Sequence, residues 1–273
     1  MVLAEYRFKY KIGDKFKLML LSDIHMQSPE CDTELLKRDL SLIDDKTYII
    51  GNGDWFDAIV LTDPRYSKVS DKTHTDAIIN ECIFELRDLF EPYKDRLVGC
   101  GIGNHCWTFN KRAGVDPIGI LCNLLGEEGK PIKHLGYSAY LRLRFEHESG
   151  GQIKTIYYYQ HHGWGAGSTT EGYNITKYAK HSRNWKADIH AYGHVHERAF
   201  KELPPRISMQ PIACQWKTDK EYLVLTGSYL KTLNKEVHPT YAEVKGINPS
   251  PLGCSIVCLE ITSNGIIITE ENK

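Results

Sequence analysis

The sequence lacks several features that would place a protein in a special class. It has eight cysteines but no Cys-x-x-Cys pair, which argues against a zinc knuckle and favours buried thiols in a reducing compartment. No apolar run approaches the ~20 residues needed to span a bilayer, and residues 1–17 carry scattered charges instead of a signal-peptide core. The formal net charge of -1 provides no global field that would attract nucleic acid or a membrane surface. We therefore expect a cytoplasmic protein without membrane association.

The remaining composition is that of an ordinary globular protein. Of its 273 residues, 41% are hydrophobic and 25% are charged, and repeats and low-complexity tracts are absent. The polar motifs described below extend from residue 23 to residue 196, so a domain boundary between them would divide one set of residues. We expect a single domain over residues 1–273, with lid segments near residues 58–75 and 200–220, where polar residues and prolines interrupt the periodicity.

Short apolar runs alternate with helical patterns in the first part of the chain, and strand patterns dominate the last part. The runs that indicate buried strands cover residues 16–22, 47–50, 96–99, 153–160 and 189–192. Residues 6–12 are predicted to pair with the first of these strands in a hairpin, with Gly13-Asp14 as the turn. This order favours an α/β fold with a two-sheet core and helices on its outer faces.

Five short polar motifs contain the residues best suited to bind metal ions or to catalyse a reaction. Four of these motifs directly follow an apolar run. The five motifs are Asp23-Ile24-His25, Gly53-Asp54-Trp55-Phe56-Asp57, Gly103-Asn104-His105, His161-His162-Gly163 and Gly193-His194-Val195-His196. Their oxygen and imidazole groups are ligands for divalent transition metals. Because sites in open α/β sheets form at the carboxyl ends of strands, the motifs are expected to converge there. Seven ligands suffice for two ions that share a carboxylate, an arrangement that suits in-line displacement at phosphorus.

Spacing within the motifs suggests a role for individual residues. Asp23 with His25, and His194 with His196, are i, i+2 pairs at turns, and each pair can chelate one ion from one side. Asp54 follows a glycine that allows a tight turn, and its two carboxylate oxygens can bridge two ions. An isolated pair of this kind is more often structural, so the conjunction of motifs supports the metal hypothesis.

The third and fourth motifs each contain neighbouring residues with different expected roles. Asn104 offers a neutral amide oxygen to a site already rich in anionic ligands. His105 should point elsewhere, because neighbours on an extended segment diverge, and it is a proton donor in this hypothesis or otherwise a structural histidine. Of His161 and His162, only one is expected to bind metal. We favour His161, the first residue after the apolar strand, and keep His162 as a residue near the metal or substrate.

The five motifs, in this order, resemble the calcineurin-like metallophosphoesterase superfamily, and the segment after residue 226 looks like phage and prokaryotic members. The resemblance implies a four-layered α/β/β/α sandwich of two mixed sheets flanked by helices. It also implies His105 as the acid near the leaving group. One ion would be held by Asp23, His25, Asp54 and His196, and the other by Asp54, Asn104, His161 and His194.

The sequence departs from the family pattern after Gly103-Asn104-His105. An acidic residue usually follows there and orients the histidine, whereas this chain has Cys106. Either another carboxylate replaces it or His105 is a weaker acid. Asp57, the second aspartate of its motif, is a candidate for that supporting role.

The activity implied by the resemblance is hydrolysis of a phosphodiester, in a nucleotide or nucleic acid, by a hydroxide that bridges two metal ions. Mn²⁺ is the first expectation, with Fe, Zn and Ni as alternatives. Phosphomonoester hydrolysis and a non-catalytic metal-binding scaffold are the competing functions. Trp164 could stack on a base or merely cover the site, and Arg183, in a basic helical segment, could contact phosphate or simply face solvent. The oligomeric state is not assigned.

Overall fold

The computed structural model describes residues 1–57, 78–129, 131–165, 170–209, 215–234 and 239–271. The strands in these ranges are β1 Val2–Tyr10, β2 Lys15–Leu21, β3 Thr47–Asn52, β4 Leu97–Gly101, β5 Lys133–Gly136, β6 Ser138–His147, β7 Ile153–His161, β8 Ile189–Tyr192, β9 Arg198–Glu202, β10 Arg206–Met209, β11 Trp216–Asp219, β12 Tyr222–Ser228, β13 Gly253–Ile261 and β14 Ile266–Glu270. The helices are α1 Thr33–Leu40, α2 Ile78–Phe90, α3 Asn104–Ala113, α4 Pro117–Leu125, α5 Tyr173–Ser182 and α6 Tyr241–Lys245, and a 3-10 helix covers Glu91–Arg96.

Most strands belong to one large mixed sheet with the order β1-β6-β7-β8-β12-β13-β2-β3-β4-β5. Strands β2, β3, β4 and β5 form one set of mutually parallel strands, and β7, β8 and β12 form another. Strand β13 is antiparallel to both β12 and β2, so these two parallel sets run in the same direction. The carboxyl ends of seven strands therefore lie at one edge. The predicted mixed α/β class is confirmed.

The pairing of the first strand differs from the hairpin expected at residues 6–12. Strand β1 lies parallel to β6, with Val2 opposite Ala139 and Tyr10 opposite His147, and has no pairing with β2. The apolar pattern correctly indicated a strand, but the choice of partner depends on contacts across more than a hundred residues. A Gly-Asp turn nearby does not determine that choice, since Gly13 donates its N–H to Ile261 instead.

Three clusters of buried side chains fill the spaces on and between the strands. The first packs residues of α1, α2 and α4, such as Leu36, Leu86 and Leu121, against β2, β3 and β4. The second contains only side chains from strands among its buried members, for example Leu20, Leu141 and Val257. The third joins α5 to strands β7, β8 and β12 through an aromatic group. Alternate residues of β2 enter the first and second clusters, as the period of two requires.

Local sequence signals account for where helices α1 and α4 begin. Asp32 caps α1 by accepting a hydrogen bond from the Leu35 N–H at 3.1 Å. Asp116 caps α4 in the same way through Gly119, and Pro117 occupies the first helical position, where its missing N–H costs nothing. These caps fix where both helices begin.

The two expected lid segments both stay predictions. Residues 58–75 lie outside the described residues. Residues 200–220 include the end of β9 and a two-stranded ribbon of β10 and β11, where an irregular segment was expected. Among the described residues, no helix has both the length and the apolar character needed to cross a bilayer.

Candidate metal centre

The carboxyl edge of the sheet brings all five polar motifs together. Asp23 follows β2, Asp54 follows β3, and Asn104 opens α3 directly after β4. On the other side, His162 follows β7 and His194 follows β8. Because these strands run in one direction, residues distant in sequence share one location, as expected for a site in an α/β sheet.

The backbone is strained at five of these residues. Asp23, His25, Asp54, His194 and His196 have φ angles between 47° and 71°, in the left-handed region that side chains with a Cβ disfavour. Each such residue costs roughly 1–2 kcal/mol. Strain of this size persists only where the surrounding fold enforces it, and it is concentrated at functional sites.

The first group of side chains consists of Asp23, His25 and His196. The two imidazoles face each other, with 3.3 Å between His25 Nε2 and His196 Nε2. Asp23 Oδ1 is buried 3.3 Å from His196 Nε2 and makes no hydrogen bond with the described residues. Its Oδ2 accepts hydrogen bonds from Ser22 Oγ at 2.5 Å and from the His194 N–H at 2.9 Å. One carboxylate oxygen and two ring nitrogens therefore converge.

The second group contains Asp54, His162 and His194. His162 Nε2 lies 3.1 Å from Asp54 Oδ2 and 3.1 Å from Asn104 Oδ1. Asn104 Oδ1 is also 2.7 Å from His194 Nδ1. Two oxygens and two ring nitrogens from four strand ends thus surround a small volume, and the structure places Asn104 in this group.

His162 occupies the place that was expected for His161. Side chains alternate along β7, so His162 shares a face with Gln160, whose amide nitrogen donates to Gly51 O at 3.1 Å. His161 lies on the other face, where its ring contacts Trp164 and His181 at centroid distances of 5.3 and 5.6 Å. The preference for His161 as the residue near Asp54 was wrong, because being first after the strand does not determine which face it occupies.

A third group joins His25 and His105 through Asp57. Asp57 Oδ1 lies 3.1 Å from His25 Nδ1 and 3.2 Å from His105 Nδ1. The Asp57 carbonyl is only 2.6 Å from the same His105 nitrogen. Asp57 therefore supplies the carboxylate that the sequence lacks at Cys106.

Cys106 cannot act as that carboxylate. Its side chain is buried under the turn after β3. Burial, with a smaller contribution from the charge of Asp54, raises the pKa of the Cys106 thiol to about 12. A neutral thiol does not orient an imidazole or increase its basicity, so Cys106 is a packing residue.

Each of three imidazoles has a hydrogen-bond acceptor for the ring nitrogen that faces away from its group. These contacts pair His25 Nδ1 with Asp57, His162 Nδ1 with Asn52 O at 2.8 Å, and His194 Nε2 with Gly165 O at 2.5 Å. Metal-binding histidines in proteins use such acceptors to fix the tautomer and the ring orientation. The contacts leave His25 Nε2, His162 Nε2 and His194 Nδ1 with their lone pairs directed inward.

The electrostatics of the site favour cations. Burial opposes ionisation of Asp23 and Asp54, but His196 beside Asp23 and His162 beside Asp54 keep the pKa of each carboxyl well below its usual range. Burial lowers the pKa of His162, but the charge of Asp54 outweighs it and raises that pKa to about 9. A proton on His162 therefore neutralises the negative charge of Asp54. A bound metal ion could neutralise the same charge.

His105 has a related environment. Burial lowers the pKa of its imidazole, but the hydrogen bond to Asp57 and the charge of Asp54 outweigh this effect and raise the pKa overall. Its backbone N–H donates to Asp54 Oδ1 at 3.0 Å. Because α3 begins at Asn104, the two neighbours diverge on a helical turn, although the sequence suggested an extended segment.

Two glycines make the close approach of the motifs feasible. A Cβ on Gly103 would lie 2.1 Å from Asp54 Oδ1 and 2.6 Å from His162 Cε1. Gly53 has a φ angle of 102°, and a Cβ there would lie 2.6 Å from His162 Nδ1. Side chains at these positions would displace the residues of the second group.

Two candidate substrate residues have different locations. Trp164 lies beside the second group, because the next residue, Gly165, accepts the hydrogen bond from His194. Arg183 ends α5, and its guanidinium donates to Pro204 O at 2.8 Å, so its described hydrogen bond is outside the three groups.

Sequence reasoning missed Ser228, whose hydroxyl, with the Tyr229 N–H, donates to the Asp23 carbonyl. The Thr226-Gly227-Ser228-Tyr229 segment was the available signal.

Comparisons with known proteins give matches among solved structures. No family model and no curated protein matches the chain. A metallophosphoesterase from Sphaerobacter thermophilus is 13% identical, with 95% of this chain and 89% of that chain covered and a TM-score of 0.38. Vps29 from Chaetomium thermophilum is 9% identical, with 94% of each chain covered and a TM-score of 0.41. GAP50, the anchor in the inner membrane complex of Plasmodium, is 12% identical, with 94% and 84% covered and a TM-score of 0.47.

The chain is similar to metallophosphoesterases. The relation to phage and prokaryotic members stays a prediction.

Proposed function

We propose that this protein is a phosphoesterase that uses two divalent metal ions to hydrolyse a phosphodiester of a nucleotide or nucleic acid. The observation that carries the proposal is the convergence of unshared electron pairs in the first two groups. Two imidazole nitrogens, of His25 and His196, face each other at 3.3 Å. A buried Asp23 oxygen beside them accepts no hydrogen bond from the described residues. The lone pairs of these atoms repel one another unless a cation or proton lies between them. The donor set of oxygen and imidazole atoms fits a divalent transition metal.

The two ions would be held by residues of the first and second groups. Asp54 is proposed to bridge them, because it belongs to the second group and its carboxylate offers two oxygens. One ion would bind Asp23, His25, Asp54 and His196, and the other would bind Asp54, Asn104, His162 and His194. His162 replaces His161 in this assignment.

When bound, the ions would supply Lewis acidity, neutralise charge on the phosphoryl oxygens and lower the pKa of a water molecule. His105 is proposed to deliver a proton to the departing alkoxide. Its Nδ1 is engaged by Asp57, so this transfer would take place at Nε2. Asp57 would fix the ring plane of His105 and, through His25 Nδ1, the orientation of a metal ligand.

Mn²⁺ is the ion proposed first, because carboxylate and amide oxygens suit it, and the imidazoles keep Fe, Zn and Ni as alternatives. Titration of chelator-treated protein with Mn²⁺, Fe²⁺, Zn²⁺ and Ni²⁺ should restore hydrolysis of bis-p-nitrophenyl phosphate, with two equivalents bound at saturation. Parallel assays with p-nitrophenyl phosphate separate diester from monoester preference. Tight binding of two ions without hydrolysis of either ester would instead indicate a metal-binding scaffold.

We also propose that the mixed sheet is folded into two facing sheets within a four-layered sandwich. The support comes from the second core cluster, whose buried members all come from strands, while the first and third clusters bring helices into contact with strands. Strands β12 and β13 pair only through Gly227–Cys254 and Ser228–Gly253. The two facing sheets would separate at this short pairing.

A further inference from the structure

An exposed aromatic surface lies directly beside the second group of the metal centre. Trp164 is 38% exposed and Tyr173, the first residue of α5, is 49% exposed. Lys177 lies between them, with its Nζ 5.8 Å from the Trp164 ring centroid and 6.0 Å from that of Tyr173. These three residues are called the aromatic platform below. Large aromatic rings with this exposure suit contact with a ligand.

Trp164 is held in one orientation by its surroundings. Edge-to-face contacts with His161, Tyr178 and His181, at centroid distances of 5.3, 5.1 and 4.8 Å, fix the inner side of its ring. The backbone N–H of Trp164 donates to the Tyr178 hydroxyl at 3.3 Å, and its backbone carbonyl accepts from Lys177 Nζ at 2.9 Å. A ring that is already ordered loses little conformational entropy when a ligand stacks on it.

The same short segment is anchored to the metal centre at its other end. Gly165 O accepts the hydrogen bond from His194 Nε2 at 2.5 Å. A Cβ on Gly163 would lie 2.8 Å from the Cβ of His194 and 2.6 Å from Gly193 O. The residues on both sides of Trp164 therefore touch the loop that carries a proposed ligand, which places Trp164 within reach of a group attached to a bound phosphate.

Lys177 contributes positive charge to the platform. Its Nζ lies 4.4 Å from the centroid of the Tyr178 ring. Among the described residues, Glu197 is the acidic side chain whose charge acts on this amine. An ammonium group among aromatic rings suits a ligand that combines an aromatic ring with negative charge.

We propose that the aromatic platform is a subsite for the base of a nucleotide, which stacks on Trp164 while Lys177 faces its phosphate. The proposal rests on the proposed function of the metal centre and adds the site that recognises the base. It assigns substrate recognition to Trp164, Tyr173 and Lys177. Stacking of a base on an aromatic side chain contributes ~1–3 kcal/mol, so removal of Trp164 should weaken binding at least about fivefold.

Calorimetry tests the platform without relying on turnover. Adenosine 5′-monophosphate and ribose 5-phosphate are titrated into the Mn²⁺-loaded and the chelator-treated protein. Wild type should bind the nucleotide at least about fivefold more tightly than the sugar phosphate. Trp164→Ala should abolish the difference, and Trp164→Phe, which keeps a ring, should retain most of it. Equal affinity of wild type for both ligands would overturn the proposal.

The chain offers a matched control in Trp107 on α3. It is 43% exposed, and Lys111 Nζ lies 5.8 Å from its ring centroid, the distance found between Lys177 and Trp164. Trp107→Ala should preserve the preference for the nucleotide over the sugar phosphate. A loss of preference equal to that in Trp164→Ala would contradict the assignment to this platform.

Kinetics separate failure of the subsite from failure of the proposed function. Thymidine 5′-p-nitrophenyl phosphate and methyl p-nitrophenyl phosphate share a leaving group but differ in the base. The ratio of their kcat/KM values should fall at least about fivefold in Trp164→Ala. An unchanged ratio would overturn the platform while leaving the metal centre as a phosphoesterase. Hydrolysis of neither ester by Mn²⁺-loaded wild type would overturn the proposed function, while calorimetry would still decide whether the platform binds a base.

Discussion

At the scale of single residues, Asp54 is the side chain on which the metal centre depends most. It lies between the two groups of ligands in the proposed assignment, and its Oδ1 also fixes the start of α3 through the His105 N–H. We expect Asp54→Asn to bind fewer than two ions and to lose activity by more than ~10²-fold, since removing an outer partner of a metal site already costs 10–100-fold. Metal content after gel filtration, measured by mass spectrometry, tests this.

Asp188 provides a matched control for that substitution. Its carboxylate accepts the Tyr157 N–H at 2.7 Å, and burial raises its pKa, so an amide at this position removes little favourable charge interaction. Asp188→Asn should keep both ions. Full occupancy of both sites in Asp54→Asn would show that Asp54 is not the bridge.

The adjacent histidines His161 and His162 allow a second test with the same substitution at neighbouring positions. His162→Ala should lose one ion, because its Nε2 lies 3.1 Å from both Asp54 and Asn104. His161→Ala should keep both ions, because its ring packs against Trp164 and His181. Metal analysis of both variants is the measurement. The opposite pattern would restore the assignment of His161 as a ligand.

His105 should act on the leaving group without holding metal. His105→Ala should retain both ions and slow hydrolysis of alkyl esters, which have poor leaving groups, by ~10²–10⁴-fold. Esters with an activated aryl leaving group need less protonation and should lose much less. Asp57→Asn should share this dependence, since the Asp57 carboxylate lies 3.2 Å from His105 Nδ1 and orients the ring. An equal loss on good and poor leaving groups would exclude proton donation by His105.

At the scale of elements, the sequence predicted the strands of the site well and the faces of those strands poorly. Apolar runs followed by polar residues located the ends of β2, β3 and β7. The face that a side chain occupies depends on the neighbour packed against the strand, which one sequence does not reveal. The structure places His162 and not His161 beside Asp54 for this reason, because Tyr159 and His161 face the side of α5 while Gln160 and His162 face the end of β3.

A buried contact between β8 and the start of β12 should make stability depend on pH. His190 Nε2 lies 3.3 Å from Glu221 Oε2 in the interior, and burial together with the charge of Arg206 lowers the pKa of His190 to about 4. An unfolded histidine titrates near ~6.5, so the unfolded chain binds this proton first and stability falls as pH decreases below that value. The loss between about pH 7.5 and pH 5 should be roughly 2 kcal/mol from this group.

Urea unfolding of chelator-treated protein measures that dependence. His190→Gln removes the titrating group while keeping a polar side chain. The free energy of unfolding of the variant should fall by about 2 kcal/mol less than that of wild type over the same pH interval. Parallel pH profiles for the two proteins would show that protonation of His190 does not limit stability.

At the scale of the whole molecule, the metal centre connects strands from both parallel sets. The mixed α/β class followed from the alternation of patterns in the sequence, but the partner of β1 did not, because the pairing of Val2 with Ala139 is non-local. Ions that bind the folded chain stabilise it by mass action. Mn²⁺ at ~100 times its dissociation constant should raise the free energy of unfolding by about 3 kcal/mol per site.

Thermal or urea unfolding with and without Mn²⁺ tests this linkage. The Asp54→Asn variant is the control, since its proposed bridge is removed. Wild type should show a midpoint that rises with Mn²⁺ concentration, and Asp54→Asn should respond more weakly. An identical response of both proteins would place the stabilising ions elsewhere on the molecule.

The position of β13 has a consequence for synthesis of the chain on the ribosome. Although β13 comes late in the sequence, it lies between β12 and β2 in the sheet. A nascent chain can therefore expose every proposed ligand, from Asp23 to His196, and still lack the strand that unites its two halves. Within the described strands, the set β7-β8-β12 and the set β2-β3-β4-β5 are joined in the sheet through β13. Until β13 inserts, a partly folded chain leaves the facing edges of β12 and β2 unpaired, and such edges are prone to aggregation.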